Sequence, residues 1–221
     1  GDLDSPEASV DLGLIGGRAG EQQLKTARLG VRAKDNRLTV DAAMEATQGG
    51  NLGARGGVTF PLSRGSDFET LLDHDDLDVS IGGAGFPMAV LLAFVPYTYD
   101  VSGEFKVNGS LTGSLRTPVP DVAVQVPDAR LCHEKTWICY EKVHLDAAVV
   151  PGRFTLEDAS FKTFPRSRNP LATRTWNKSD KAAGGFKVSG YSELSGLRPG
   201  LMRFDIDFDN MWLSSDETAQ V

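Results

Sequence analysis

The stretch that decides the fold is Val101-Ser102-Gly103-Glu104-Phe105-Lys106-Val107-Asn108-Gly109-Ser110-Leu111-Thr112-Gly113-Ser114-Leu115-Arg116. Its odd positions carry Val101, Gly103, Phe105, Val107, Gly109, Leu111, Gly113 and Leu115, and every even position is polar or charged. Successive side chains of a β-strand point to opposite faces, so unbroken alternation predicts one dry face and one wet face. Asn108-Gly109 ordinarily marks a two-residue hairpin turn. Here such a turn would pair Val107 with Ser110 and Lys106 with Leu111, mixing apolar and polar groups on both faces. One long strand of about 50 Å keeps the faces apart, leaving its glycines to serve twist, bulging or close packing.

The same alternation recurs outward from this stretch. Met202, Phe204, Ile206 and Phe208 alternate with Arg203, Asp205, Asp207 and Asp209, and Leu38, Val40, Ala42, Met44 and Ala46 alternate with mostly polar neighbours. Shorter runs start at Val10, Leu29, Val58, Leu77, Val143 and Phe186. Paired glycines at Gly16-Gly17, Gly49-Gly50, Gly56-Gly57, Gly82-Gly83 and Gly184-Gly185 read as turns between strands. The expectation is an antiparallel all-β chain of about ten to twelve strands. Gly103-Glu104-Phe105-Lys106-Val107-Asn108-Gly109 also resembles Gly185-Phe186-Lys187-Val188-Ser189-Gly190, a weak internal repeat that suggests an array of sheet units.

One segment departs from period two. Residues 86–96, Phe86-Pro87-Met88-Ala89-Val90-Leu91-Leu92-Ala93-Phe94-Val95-Pro96, have Pro at a plausible first helical position and Pro again as terminator. They predict a short helix, apolar on all sides, which must be buried against the sheet or against something oily.

Composition narrows the function classes. The 221 residues carry 23 basic and 30 acidic side chains, a net charge of −7, which opposes nucleic-acid binding through clustered cations. Forty per cent apolar residues can form a sizeable buried face and oppose disorder. The longest apolar stretch, Ala84 to Val95, falls short of the roughly 20 residues of a membrane-spanning helix. The acidic opening Gly1-Asp2-Leu3-Asp4 does not read as a leader, so the expectation is a soluble protein or a piece of something longer.

Catalytic chemistry finds little support. The histidines are His74, His133 and His144, and no G-x-S-x-G nucleophile elbow exists. The chain therefore reads as no enzyme, with no cofactor and no metal. Cys132, His133, Cys139 and His144 match no common zinc spacing. A disulfide fits better: a hairpin turning at Glu134 to Trp137 would place Cys132 opposite Cys139, with free thiols as the remaining alternative. A disulfide would mean an oxidising compartment. The acidic run Leu72 to Asp78 lacks the ligand spacing of a calcium loop and reads as a solvated turn. Arg166, Arg168, Arg174, Lys178 and Lys181 make 165–181 a long basic loop.

What remains is non-covalent. If the apolar face stays open as a trough, its lining is Val101, Phe105, Val107, Leu111, Leu115, Phe186, Val188, Met202, Phe204, Ile206 and Phe208. Met88, Leu91, Leu92 and Phe94 of the helix would then pack on it. The alternative is a closed β-sandwich adhesin or carbohydrate-binding module, with Trp137, Tyr140 and Trp176 as its candidate aromatics.

Several blocks resemble the C-terminal region of the TamB family of AsmA-like envelope proteins: Gly85 to Pro96 followed by Val101-Ser102-Gly103, Gly109-Ser110-Leu111-Thr112-Gly113-Ser114-Leu115-Arg116-Thr117-Pro118, and the run ending Asp128-Ala129-Arg130-Leu131. The likeness covers residues 36–131 and continues more loosely over 140–213, with the Cys132–Cys139 segment and the basic loop reading as insertions. It implies a single segment over 1–221: an elongated antiparallel sheet curled like a taco around an open hydrophobic groove. It further implies a periplasmic, non-catalytic bridge, inner-membrane anchored in the full-length protein through an N-terminal helix absent here. Its implied partners are phospholipid acyl chains and an outer-membrane barrel assembly protein of the TamA type. Its implied roles are phospholipid transport between the membranes and outer-membrane protein assembly.

Overall fold

The computed structural model describes residues 7–19, 22–59, 72, 76–92, 95–135, 138–165 and 184–209. Eleven strands follow one another in chain order: β1 (Ala8–Ala19), β2 (Gln22–Lys34), β3 (Arg37–Ala46), β4 (Asn51–Thr59), β5 (Leu77–Pro87), β6 (Thr98–Gly113), β7 (Pro118–His133), β8 (Ile138–Val150), β9 (Arg153–Pro165), β10 (Gly184–Ser195) and β11 (Arg198–Asp209). Each pairs antiparallel with its sequence neighbours in a single sheet of order β1 to β11. The sheet does not close on itself, and β1 and β11 are its two edges. A short helix, α1 (Met88–Leu92), sits between β5 and β6. Among the described residues no helix is long and apolar enough to cross a membrane.

Asn108 and Gly109 sit inside the 16-residue strand β6, opposite Gly82 and Ile81 on one side and Ala123 and Val122 on the other. No hairpin turns there, and the apolar and polar faces stay separate through these two residues. The strand is displaced from the alternating stretch, however, and ends at Gly113, whose φ is +89°. The buried Ser114 hydroxyl accepts from the Thr117 amide at 3.0 Å and fixes the turn into β7. Leu115 therefore lies outside the sheet at 38% exposure and is not a lining residue.

The helix is shorter than 86–96. Phe86 and Pro87 belong to β5, because Phe86 pairs with Phe105 and Pro87 with Glu104 across the β5–β6 ladder. Residues 95–97 form a turn in which Tyr97 has φ +66°.

Paired glycines mostly fail as turn signals. Gly49-Gly50 does reverse the chain, both at positive φ. Gly16-Gly17, Gly56-Gly57 and Gly82-Gly83 lie within β1, β4 and β5, and Gly184-Gly185 open β10. Close backbone approach explains the clearest case: a Cβ on Gly56 would stand 2.0 Å from the Asp78 carbonyl oxygen of the next strand. Gly109 and Gly190, which correspond in the internal repeat, share that constraint. A Cβ on Gly109 would meet the Asp121 carbonyl at 2.1 Å, and one on Gly190 the Arg203 carbonyl at 2.2 Å. The repeat thus encodes the same strand-on-strand approach twice.

Cys132 and Cys139 face each other across the β7–β8 hairpin and form a disulfide, with Cα atoms 4.0 Å apart. Both are buried. Of the basic loop 165–181, Pro165 ends β9, and 166–181 lie outside the described residues.

Replacing both Cys132 and Cys139 by Ala should lower stability by about 2.5 kcal/mol, the chain-entropy cost of releasing so small a loop. Gly109→Ala should cost roughly 1–3 kcal/mol by overpacking the β6–β7 contact. Urea unfolding followed by circular dichroism measures both, and stabilities unchanged from the parent would refute the respective assignments.

Candidate functional site

The register fixes which side chains share a face, because directly opposed residues point to the same side of a sheet. Starting at the β1 edge, Leu14 lies opposite Ala27, then Met44, Leu52, Gly83 and Val107. The row continues through Val124, Ala147, Leu156 and Gly190 to Phe204 on β11. It crosses the whole sheet without one polar side chain. The row beginning at Leu12 does the same as far as Phe154, and then passes through the buried Ser192 to Met202. On the opposite face, Asp11, Gly30, Asp41, Arg55, Ser80, Ser110 and Asp121 form a polar row.

The middle of the apolar face is covered. A buried cluster joins Leu24, Ala46, Phe86, Val90, Phe105, Val126 and Ala129, flanked by Met44, Leu52, Met88, Val107, Val143 and Leu145. Phe86 is fully buried and meets the Phe105 ring edge-on at 5.7 Å between centroids. Val90 and Met88 bring α1 into this cluster.

The two ends of the face are wet. At the β1 end Val10, Leu12 and Leu14 are about half exposed or more. Leu12, Leu14, Leu29, Met44, Leu52 and Ile81 there line an apolar depression of roughly 560 Å³. At the β11 end Met202, Ile206 and Phe208 are 59%, 51% and 64% exposed. Four aromatic rings run towards that edge: Tyr140 to Phe161 at 5.2 Å, Phe161 to Phe186 at 4.8 Å, and Phe186 to Phe208 at 5.3 Å. Such pairs contribute about 0.5–1.5 kcal/mol each beyond their area burial.

Of the expected lining residues, Phe105, Val107, Leu111, Phe186, Val188, Met202, Phe204, Ile206 and Phe208 lie on this face. Phe105 is 6% exposed within the α1 cluster, so it supports the face from below rather than meeting a ligand. Val101 falls in the register shift between Tyr99 and Ser102, so strand pairing assigns it to neither face. Met88 packs against the buried cluster. The side chains of Leu91 and Leu92, and all of Phe94, lie outside the described residues. The β1–β5 lining was not singled out from sequence, although Leu12, Leu14, Met44 and Ile81 carry the same alternation that marked β6 and β11.

The remaining polar candidates resolve into structural contacts. The Asp76 carboxylate accepts from the Thr59 amide at 2.9 and 3.0 Å. His144 Nδ1 lies 3.2 Å from the Pro127 carbonyl oxygen, and the His133 ring packs edge-on against Tyr97. His74 lies outside the described residues. Joined in a disulfide, Cys132 and Cys139 offer no thiolate pair to zinc. Among the described residues no group of three His, Cys, Asp or Glu side chains could hold a metal ion.

Comparison with protein families, with curated proteins and with solved structures finds no match for this chain.

Because Phe86 anchors the covered part of the face, Phe86→Ala should cost about 3–5 kcal/mol, as large-to-small changes at fully buried aromatics do. Phe208→Ala, at the wet edge, should cost under about 1.5 kcal/mol, the aromatic-pair contribution alone. Equal losses in paired denaturation curves would contradict the division into covered middle and wet ends.

Proposed function

We propose that this chain is a non-catalytic segment of a TamB-like bridge protein of the cell envelope, whose apolar sheet face receives phospholipid acyl chains. The observation that carries this reading is the Leu14-to-Phe204 row: eleven consecutive strands present no polar side chain along it, and both ends meet water. Keeping apolar area wet costs about 25 cal/mol per Å², so exposed side chains at both ends favour an oily occupant. The depression beside β1 falls within the roughly 300–1,000 Å³ range of small-molecule sites. Curling of the sheet into a taco-like groove would bring the two wet ends towards one lumen, with α1 packed on its wall. In this reading the protein works in the periplasm, continues to an inner-membrane anchor in its full-length form, and meets an outer-membrane barrel of the TamA type. The disulfide is in keeping with that oxidising compartment. Movement of phospholipid between membranes and support of outer-membrane protein assembly are the roles this surface would serve.

A closed sandwich is disfavoured by one observation. It needs a second sheet over the apolar face, and all eleven described strands lie in one. Of the aromatics suited to sugar binding, Tyr140 is engaged by Phe161, while Trp137 and Trp176 lie outside the described residues.

Native mass spectrometry of the gently purified protein should find co-purifying phospholipid. Leu12→Asp with Leu14→Asp should reduce its occupancy about tenfold or more, through lost apolar contact and a buried-charge penalty, with an unchanged circular dichroism spectrum. Absence of phospholipid from the parent, or equal occupancy in the variant, would reject the reading.

A further inference from the structure

From the opposite face of the sheet we infer a second binding site, one that takes a phosphate-type oxyanion at the β1–β4 end. A depression of about 630 Å³ opens there, lined by Arg28, Arg32, Arg37 and Arg55 with Asp11, Asp41 and Thr39. Register brings these groups together: Arg32 lies opposite Thr39, and Thr39 opposite Gly57, while Gly30 lies opposite Asp41, and Asp41 opposite Arg55. Arg37 follows directly on the Asp35-Asn36 turn, whose two residues both have positive φ, as a two-residue type I′ hairpin requires.

The arginines divide into two kinds. Arg28 and Arg55 are committed to Asp41, Arg28 at 3.8 Å and the Arg55 Nε at 2.8 Å. Arg32 and Arg37 have no carboxylate partner among the described residues. Two glycines are closely approached on this face, Gly57 also by the Leu38 carbonyl oxygen, 2.5 Å from where its Cβ would stand. A Cβ on Gly57 would stand 3.3 Å from the Arg37 Nε, and one on Gly30 would stand 3.0 Å from the Asp11 Oδ1. Arg37 and Asp11 thus pass close over glycine backbone while remaining exposed, open to a ligand from solvent. Four arginines against two aspartates leave the depression cationic in a protein whose net charge is −7.

Planar guanidinium forks match phosphate oxygens two at a time, which a single lysine cannot do. Arg32 and Arg37 are the two forks available; Thr39 lies directly opposite Arg32 and two residues on from Arg37, and its hydroxyl donates to the Arg32 carbonyl at 3.4 Å. The Asp11 carboxylate opposes an anion and limits the affinity. The ligand is therefore a multiply charged phosphate group, carried either by a soluble phosphate compound or by a lipid headgroup. The two depressions share Leu12, Gly13, Arg28 and Leu29 of β1 and β2, but the anion is held by arginines and the acyl chain by aliphatic side chains, so failure of one reading would leave the other standing.

The test is titration of the full chain at low ionic strength, with resonances of the Arg32 and Arg37 Nε–H groups and the Thr39 and Gly57 amides followed by NMR. Inorganic pyrophosphate is one arm, and dihexanoyl-phosphatidic acid below its micelle concentration is the other. Saturable shifts confined to this end of β2–β4 are expected. Arg32→Gln with Arg37→Gln should weaken binding about tenfold or more, as loss of charge-assisted hydrogen bonds does. Arg203→Gln, on β11, should leave it within about twofold, being too distant to couple. Tighter binding of the lipid than of pyrophosphate identifies a headgroup site, and equal binding identifies a phosphate site. Absent or non-saturable shifts in both arms, or equal affinity of parent and double variant, would overturn the proposal.

Discussion

A side chain in a strand has only two directions to choose from, and every strand of this sheet must choose the same one as its neighbour. That constraint governs the rest of the structure. A slip of one residue between any two strands would carry apolar groups onto the wet face for the remainder of the sheet. The chain nevertheless contains irregularities, and several cross the same region of β6, β7 and β8. Each is absorbed before the next apolar pair: Ala129 still meets Val143 and Val126 still meets Leu145. Asp100 and Lys142, both at positive φ, sit at these shifts and take up the extra residue. The Cys132–Cys139 crosslink lies at the hairpin end of the same disturbed region.

Stability is unevenly distributed along such a sheet. Among the described residues each strand touches little beyond its two neighbours, so no central core gathers all of them. The exception is the cluster under α1, where residues from β2 through β8 meet. From there outwards burial falls, until the apolar side chains of β1 and β11 are mostly in water. The polar face contributes mainly exposed ion pairs such as Lys25–Glu45, which in general add about 0–1 kcal/mol each. They favour correct neighbours more than they strengthen the sheet.

Much of this was legible from alternation alone. Period two in Val101–Arg116 gave the strand, rejected the hairpin at Asn108-Gly109, and placed Phe105, Val107 and Leu111 on one face. The spacing of Cys132 and Cys139 gave the disulfide, because a short hairpin leaves few other ways to pair them. Glycine was the weak signal. Gly49-Gly50 and Gly56-Gly57 look alike in sequence, yet one reverses the chain and the other admits a neighbouring backbone, a difference set by tertiary approach. The helix was overextended because Phe86 has a cross-strand partner, Phe105, that local propensity cannot reveal. Likewise, nothing local joins Arg32, Arg37 and Arg55. Their meeting depends on the register of three strands.

One face of the sheet is apolar from edge to edge, and the proposal is that its wet ends admit acyl chains. Nitroxide labels placed singly at positions 202 to 208 of β11 test it directly, since odd and even positions differ only in the face they occupy. On addition of phospholipid, labels at 202, 204, 206 and 208 should lose mobility and gain oxygen accessibility, while those at 203, 205 and 207 stay unchanged. A response without that alternation, or no response at the even positions, would contradict the account.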